Sequence, residues 1–166
     1  AAHGYCIGGA MELLMACDLA VAGETTRFGE PEVRFGSGIV AMLAPYVIGP
    51  KHAKELLLTG NDKVTADRCY QMGILNQVVA DGKEMEAAME LANQIVSAAP
   101  RSVQMTKTAI HRAYELAEMR TALREALEID IKIESDESPK RREFNRIRKE
   151  QGLKAALTWR DQNAAG

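Results

Sequence analysis

A pair of glycines, Gly8-Gly9, runs directly into an apolar helical pattern in the stretch GYCIGGAMELLMACD, residues 4–18, and Glu12 follows one turn later. Glycine disfavours a helix start because it loses so much backbone freedom on ordering. A carboxylate among Ile, Met and Leu is costly to take out of water. Both features make sense where a helix N-terminus faces something other than its own chain. The first N–H groups of a helix have no intrahelical acceptor and lie at the positive end of its dipole, and glycines let another molecule approach them closely. In a water-poor setting such donors stabilise a developing oxyanion by roughly 3–4 kcal/mol each. Glu12 returns to the same opening after about one turn. There a dry pocket raises its proton affinity and allows proton exchange near neutrality. The same residues also suit plain packing, since Gly-Gly permits tight contacts and a first-turn Glu complements the dipole by itself.

A second carboxylate follows a similar turn. Gly29-Glu30-Pro31-Glu32 comes after a strand-like run and precedes Val33-Arg34-Phe35-Gly36. Glu12 and Glu32, each at a strand-to-helix turn, are spaced to converge on one pocket, where paired carboxylates can activate a water and move a proton across one bond. The alternative is a solvated acidic turn formed by Glu30 and Glu32.

Around these elements the pattern reads as a small α/β piece followed by a helical region. Residues 8–17 form a short buried helix, residues 19–22 and 25–29 short strands, and Pro31 begins a further turn. The apolar run 38–48 reads as a buried helix kinked or broken at Pro45. Residues 51–59 are amphipathic and stop at Gly60. Val64-Thr65-Ala66-Asp67 caps a helix that ends at Gly73, and residues 74–79 are strand-like. From residue 83 onward the period is helical, with Met85, Met89, Ile95 and Val96, then Val103, Ile110 and Tyr114 as apolar rows, then Leu123, Leu127 and Ile131 facing inward. Ser138-Pro139 caps a last long helix carrying Phe144 and Ile147, interrupted at Gly152. The expected organisation is a partial core over residues 1–82 and a helical region over 83–166.

The 166 residues are 46% hydrophobic and 27% charged, enough for a single core. No run of about 18 apolar residues is present, so no membrane partner is expected, and no signal peptide is visible. Three cysteines without CxxC spacing argue against a disulfide framework or zinc and fit a reducing, cytoplasmic setting. Net charge is −5 over residues 1–100 and +3 over residues 101–166. The chain opens at Ala1 on what reads as the end of a strand, which suggests a fragment.

Read together, GYCIGGAMELLMACDLAVAGETTRFGEPE resembles the crotonase (enoyl-CoA hydratase/isomerase) superfamily, and LLLTGNDKVTADRCYQMGILNQVV is similar to the family's next segment. The resemblance is strongest over residues 2–80. It implies an α/β fold, the C-terminal half of a ββα spiral core, followed by a helical oligomerisation region. It implies that the Gly9 N–H forms half of an oxyanion hole for a thioester carbonyl. Glu12 and Glu32 match the glutamates that position water and shuttle the proton in hydratases, with Gly8, Pro31 and Gly36 in support. The implied activity is reversible hydration of a 2-enoyl-CoA. Double-bond isomerisation, hydration or hydrolysis of a cyclic acyl-CoA, and an inactive oligomerising module are the alternatives. No cofactor is expected beyond the coenzyme A of the substrate, and the implied partners are an acyl-CoA thioester and like subunits in a trimer or dimer of trimers. Ala10 stands where the family carries a third glycine, and the segment after Gly36 is shorter than the family's glycine-rich loop, which leaves acyl specificity open.

Other candidates are weaker. His3, His52 and His111 have no carboxylate or Cys at ligand spacing, so no metal site is expected. Cys6 and Cys17 read as small core fillers. The basic patch Lys140-Arg141-Arg142 with Arg146, Arg148 and Lys149 reads as a solvated face pairing with Glu137, Glu143 and Glu150. With 5% aromatic residues, no nucleic-acid partner is expected.

Overall fold

The structure, a computed structural model, describes residues 1–39, 41–136 and 138–163. Among the described residues five short strands form two sheets. Strand β1 (Tyr5–Ile7) pairs in parallel with β3 (Arg27–Gly29), which pairs antiparallel with β4 (Val64–Thr65). Strand β2 (Val21–Gly23) pairs in parallel with β5 (Gln77–Val79), and Ala2 bridges to Ala22 on the same side. The chain thus visits one sheet and then the other, with helix α1 (Gly9–Ala16) between β1 and β2. Runs this short of Val, Ala, Ile and Phe suit strands buried on both faces. Phe28, Met11, Leu56, Val21 and Cys69 fill the space between the sheets and the helices. Burial of each large apolar side chain contributes about 1.5–3 kcal/mol.

Helix α3 (Gly49–Thr59) packs Ala53, Leu56 and Leu57 inward and ends at Gly60 in the left-handed conformation. Helix α4 (Ala66–Met72) is capped by Thr65, whose hydroxyl accepts from the Arg68 N–H at 3.2 Å, and ends at left-handed Gly73. Both ends follow the sequence expectation. The kinked helix expected over 38–48 does not form. Residues 41–43 carry no regular structure, and only α2 (Ala44–Val47) is helical, with Pro45 in its first turn. Proline has no N–H to give and fits a helix start, so it begins this helix and does not bend it. Val40 lies outside the described residues.

Helices α5 (Glu84–Ser97), α6 (Pro100–Leu116) and α7 (Met119–Ser135) follow, then α8 (Pro139–Gln151) and α9 (Leu153–Gln162). Ser138 caps α8, and Phe144 and Ile147 pack with Ala156 of α9. The apolar rows of α5–α7 are largely bare, and so is much of the face expected to point inward on α7. Met85, Met89, Ile95, Val96, Ile110, Tyr114, Leu127 and Ile131 are exposed, and Asp130 is the buried residue of α7. The helical period was read correctly but it marks faces that this chain does not cover. Cys6 and Cys69 are buried free thiols whose pKa values burial pushes up to about 11 and about 12. Cys17, read as a core filler, is exposed. Arg146 pairs with Glu143 and Glu150 as expected for a solvated face, while the pairing expected for Glu137 falls outside the described residues.

Candidate active site

The parallel register of β1 and β3 builds the site. Ile7 lies opposite Gly29, so the turns leaving the two strands emerge side by side. The Gly8 N–H donates to the Gly29 carbonyl at 2.8 Å and fastens them. One turn opens α1, and the other carries Glu30, Pro31 and the 3-10 helix Glu32–Phe35. Residues some twenty positions apart thereby share one end of the sheet.

Gly8 is required at this junction. Its φ of 60° and ψ of −129° suit glycine only. A Cβ placed there would sit 2.5 Å from Oε1 of Glu32. The Gly8 carbonyl accepts from the N–H groups of Met11 and Glu12 at 2.7 and 3.1 Å, closing the first turn. Gly9 is exposed at the first position of α1 with no heavy atom within 4 Å of where its Cβ would be. Pro31 immediately precedes the 3-10 helix, and Gly36 ends it with φ 78°. A Cβ on Gly36 would meet Oγ of Ser138.

Glu12 and Glu32 are both half-buried and close enough that the charge of Glu12 raises the proton affinity of Glu32. Oε1 of Glu12 accepts from the Ala41 N–H at 3.0 Å, so the loop after Gly36 touches this carboxylate. On its other side that loop is held by α7. Glu134 accepts from the Ser37 hydroxyl and from the Gly38 N–H, and Arg141 pairs with Glu134. The Glu32 pKa is raised, chiefly by burial; its own backbone N–H and a hydrogen bond from Glu30 hold it back, and Arg160 contributes in the same sense.

Sequence reasoning left Glu30 in an acidic turn open to water. The structure overturns that alternative: Glu30 is 0% exposed, and among the described residues no donor reaches either of its carboxylate oxygens or Oε2 of Glu32. Burial pushes its pKa up to about 9, with the charges of Glu32 and Glu12 adding to the effect. The position of Glu30, directly after a buried strand, was the available signal. Arg160 was missed as well. Its side chain is 3% exposed and pairs with Asp62 at 2.5 Å and Asp161 at 2.8 Å, while Arg34, two residues past Glu32, joins the same two acids. No local pattern in α9 announces that contact.

The histidines behave differently from one another. His52 and His111 make only partly exposed pairs with Glu55 and Asp18. His3, Asp81 and Glu84 come together with ligand atoms within 4.8 Å of one another, a grouping that sequence spacing did not foretell. His3 is bonded to Glu84 at 3.0 Å, and Asp81 accepts from Thr25. Open clefts between α8 and α9 and beside α3 lie apart from the carboxylates.

The glycines, the helix N-terminus and the turn that carries Glu32 thus lie at one end of the paired strands β1 and β3. A family model described as enoyl-CoA hydratase/isomerase matches residues 1–149. The chain belongs to the enoyl-CoA hydratase/isomerase family. Within the family it is 37% identical over 120 residues to a short-chain-enoyl-CoA hydratase of Clostridium acetobutylicum, covering 69% of this chain and 45% of that protein. It is 38% identical over 117 residues to a carnitinyl-CoA dehydratase of Salmonella typhi, covering 68% of this chain and 44% of the other. The crystal structure of an enoyl-CoA hydratase/isomerase from Xanthobacter autotrophicus Py2 superposes with a TM-score of 0.91 at 45% identity, over 96% of this chain and 59% of that one. The fold is crotonase-like α/β. The chain spans a little under half the length of these curated relatives. Among the described residues no helix is long and apolar enough to cross a membrane.

Proposed function

We propose that this chain carries the acid–base half of an enoyl-CoA hydratase site, acting in the reversible addition of water to a 2-enoyl-CoA. The convergence of Glu12 and Glu32 beside the opening of α1 carries the reading. As water adds at C3, the thioester oxygen gains enolate charge. The Gly9 N–H, at the positive end of α1 and free of steric cover, is the donor assigned to that oxygen. Glu12 and Glu32 flank the water: one takes its proton while a proton is delivered to C2, and the roles reverse in dehydration. Burial raises the proton affinity of Glu32 toward the working pH, which such transfer needs. Coenzyme A enters as part of the substrate. The bare apolar faces of α5–α7 support a further reading, in which they pack against the rest of a trimeric, cytoplasmic assembly.

The test uses the intact protein and crotonyl-CoA, followed by loss of the conjugated absorbance. Glu12→Gln and Glu32→Gln are each expected to slow hydration by about 100-fold or more. Near-wild-type rates in both variants would remove the mechanism.

A further inference from the structure

Three buried carboxylate oxygens in the site have no donor among the described residues: both of Glu30 and Oε2 of Glu32. Glu30 is the only member of the carboxylate group with no exposed surface. Glu30 and Glu32 stand two residues apart on the same turn, each with a buried oxygen lacking a donor, and each carboxyl shifts the proton affinity of the other. The groups facing this pair come from several elements. Glu12 on α1 adds a negative charge, Cys6 on β1 is a neutral buried thiol, and Arg160 on α9 is already paired with Asp62 and Asp161. With no free cation against them among the described residues, one sealed and one half-buried carboxyl cannot both ionise without a large penalty. One proton between them makes a single hydrogen bond, which engages one oxygen of each and leaves the second oxygen of Glu30 without a donor.

We propose that Glu30 is a positioning residue for the hydration chemistry: its carboxyl group stays protonated and donates a hydrogen bond to Glu32. The inference rests on the hydratase reading of Glu32. Burial alone would drive Glu32 toward the permanently protonated form, in which it could accept no proton. The hydrogen bond from Glu30 favours the ionised form and pulls its proton affinity back. It also fixes the orientation of a carboxylate that has no other donor on Oε2. Glu30 itself does not reach the reacting atoms. Ionisation of Glu30 near pH 9 would place a second charge beside Glu32 and end the donation.

Two measurements on the intact protein test this. The first is the pH profile of kcat and kcat/KM. Wild type should lose activity as pH rises through about 9. Glu30→Gln keeps a donor but cannot titrate; it should restore neutral activity to within about threefold of wild type and move the alkaline limb up by at least about one pH unit. Glu30→Leu removes the donor; kcat should fall about tenfold or more with little change in KM, and the acid limb should move to higher pH as Glu32 becomes harder to ionise. A Glu30→Gln profile superimposable on wild type would overturn the proposal, even if Glu30→Leu failed to fold. The second measurement is independent of activity. Infrared difference spectra of wild type should contain the carbonyl stretch of a protonated carboxylic acid at neutral pH, titrating near 9 and absent from Glu30→Gln. Its absence in wild type sinks the proposal whether or not the protein hydrates crotonyl-CoA. Inactivity of the intact protein toward 2-enoyl-CoA with the infrared band present would instead sink the hydratase reading and leave the protonated Glu30 standing.

Discussion

Replacing Gly8 by alanine acts on backbone and chemistry by separate routes. Its φ of 60° and ψ of −129° are strained for any L residue with a Cβ, at about 1–3 kcal/mol. Alanine recovers part of this by restricting the unfolded chain, about 0.4–1 kcal/mol, so the net loss should be about 1–2 kcal/mol. The second route is steric. The new Cβ would lie 2.5 Å from Oε1 of Glu32, and ordinary contact begins near 3.4 Å. The carboxylate must therefore retreat by about 1 Å, which is easy for the end of a flexible side chain but costs about 100-fold in rate when the group must meet a water in a set geometry. The assay pairs urea unfolding with crotonyl-CoA hydration by the intact protein. Gly8→Ala should fold with modestly lower stability and a kcat lower by about 100-fold. Gly9→Ala is the control for stability: its Cβ would meet no heavy atom within 4 Å, so its unfolding free energy should stay within about 1 kcal/mol of wild type. A Gly8→Ala enzyme with kcat within threefold of wild type would refute the claim that the Gly8 junction sets the position of Glu32. A larger stability loss in Gly9→Ala than in Gly8→Ala would refute the backbone argument.

Arg160→Met should destabilise by about 1.5–3 kcal/mol in denaturant titration, because the largely covered carboxylate of Asp62 loses one of its two cations and keeps only Arg34; Arg160→Met/Asp62→Asn should recover part of the loss. Stability should also fall with rising pH through Glu30. Its folded pKa, about 9, lies above the ordinary value of 4.5, so the folded state holds the extra proton; the stabilisation is full below about 4.5 and is lost as pH rises toward about 9. Between pH 6 and 8.5 the slope of about 1.4 kcal/mol per unit amounts to roughly 3 kcal/mol, and Glu30→Gln should abolish that share in urea unfolding.

What the sequence disclosed was what depends on nearest neighbours. The glycine opening of α1, the Thr65 and Ser138 caps and the glycine stops at Gly60 and Gly73 are written into a few adjacent residues, and the structure has each in place. Convergence of the two glutamate turns was legible too, because parallel pairing of short strands brings their exits together. Burial was not legible in the same way. Glu30 and Glu32 are two residues apart with the same chemistry, yet Glu30 follows the inward Phe28–Gly29 end of β3 and is sealed, while Glu32 is half-buried. An i, i+2 pair of acids looks like a solvated turn until the packing on both sides is known. The apolar row of α7, expected to face inward, is partly bare for a related reason: periodicity reports which face is apolar, and says nothing of whether this chain or another surface covers it.

The least legible feature joins the helical tail to the chemistry. Glu134 on α7 accepts from Ser37 and Gly38, and Asp130, the buried residue of that helix, sits where a Cβ on Gly38 would go. Three residues further on, the Ala41 N–H donates to Glu12. Ser37 and Gly38 are thus held by a tail helix and Ala41 by one of the two carboxylates, and residues 41–43 carry no regular structure of their own. On the other side of the site, Arg160 of α9 reaches Asp62 and biases Glu32. Glu12 thus accepts from Ala41, three residues from a glycine that α7 holds through Glu134, and Glu32 feels the charge of Arg160 on α9. Polar groups on two tail helices therefore bear on the surroundings of the carboxylates assigned to the water.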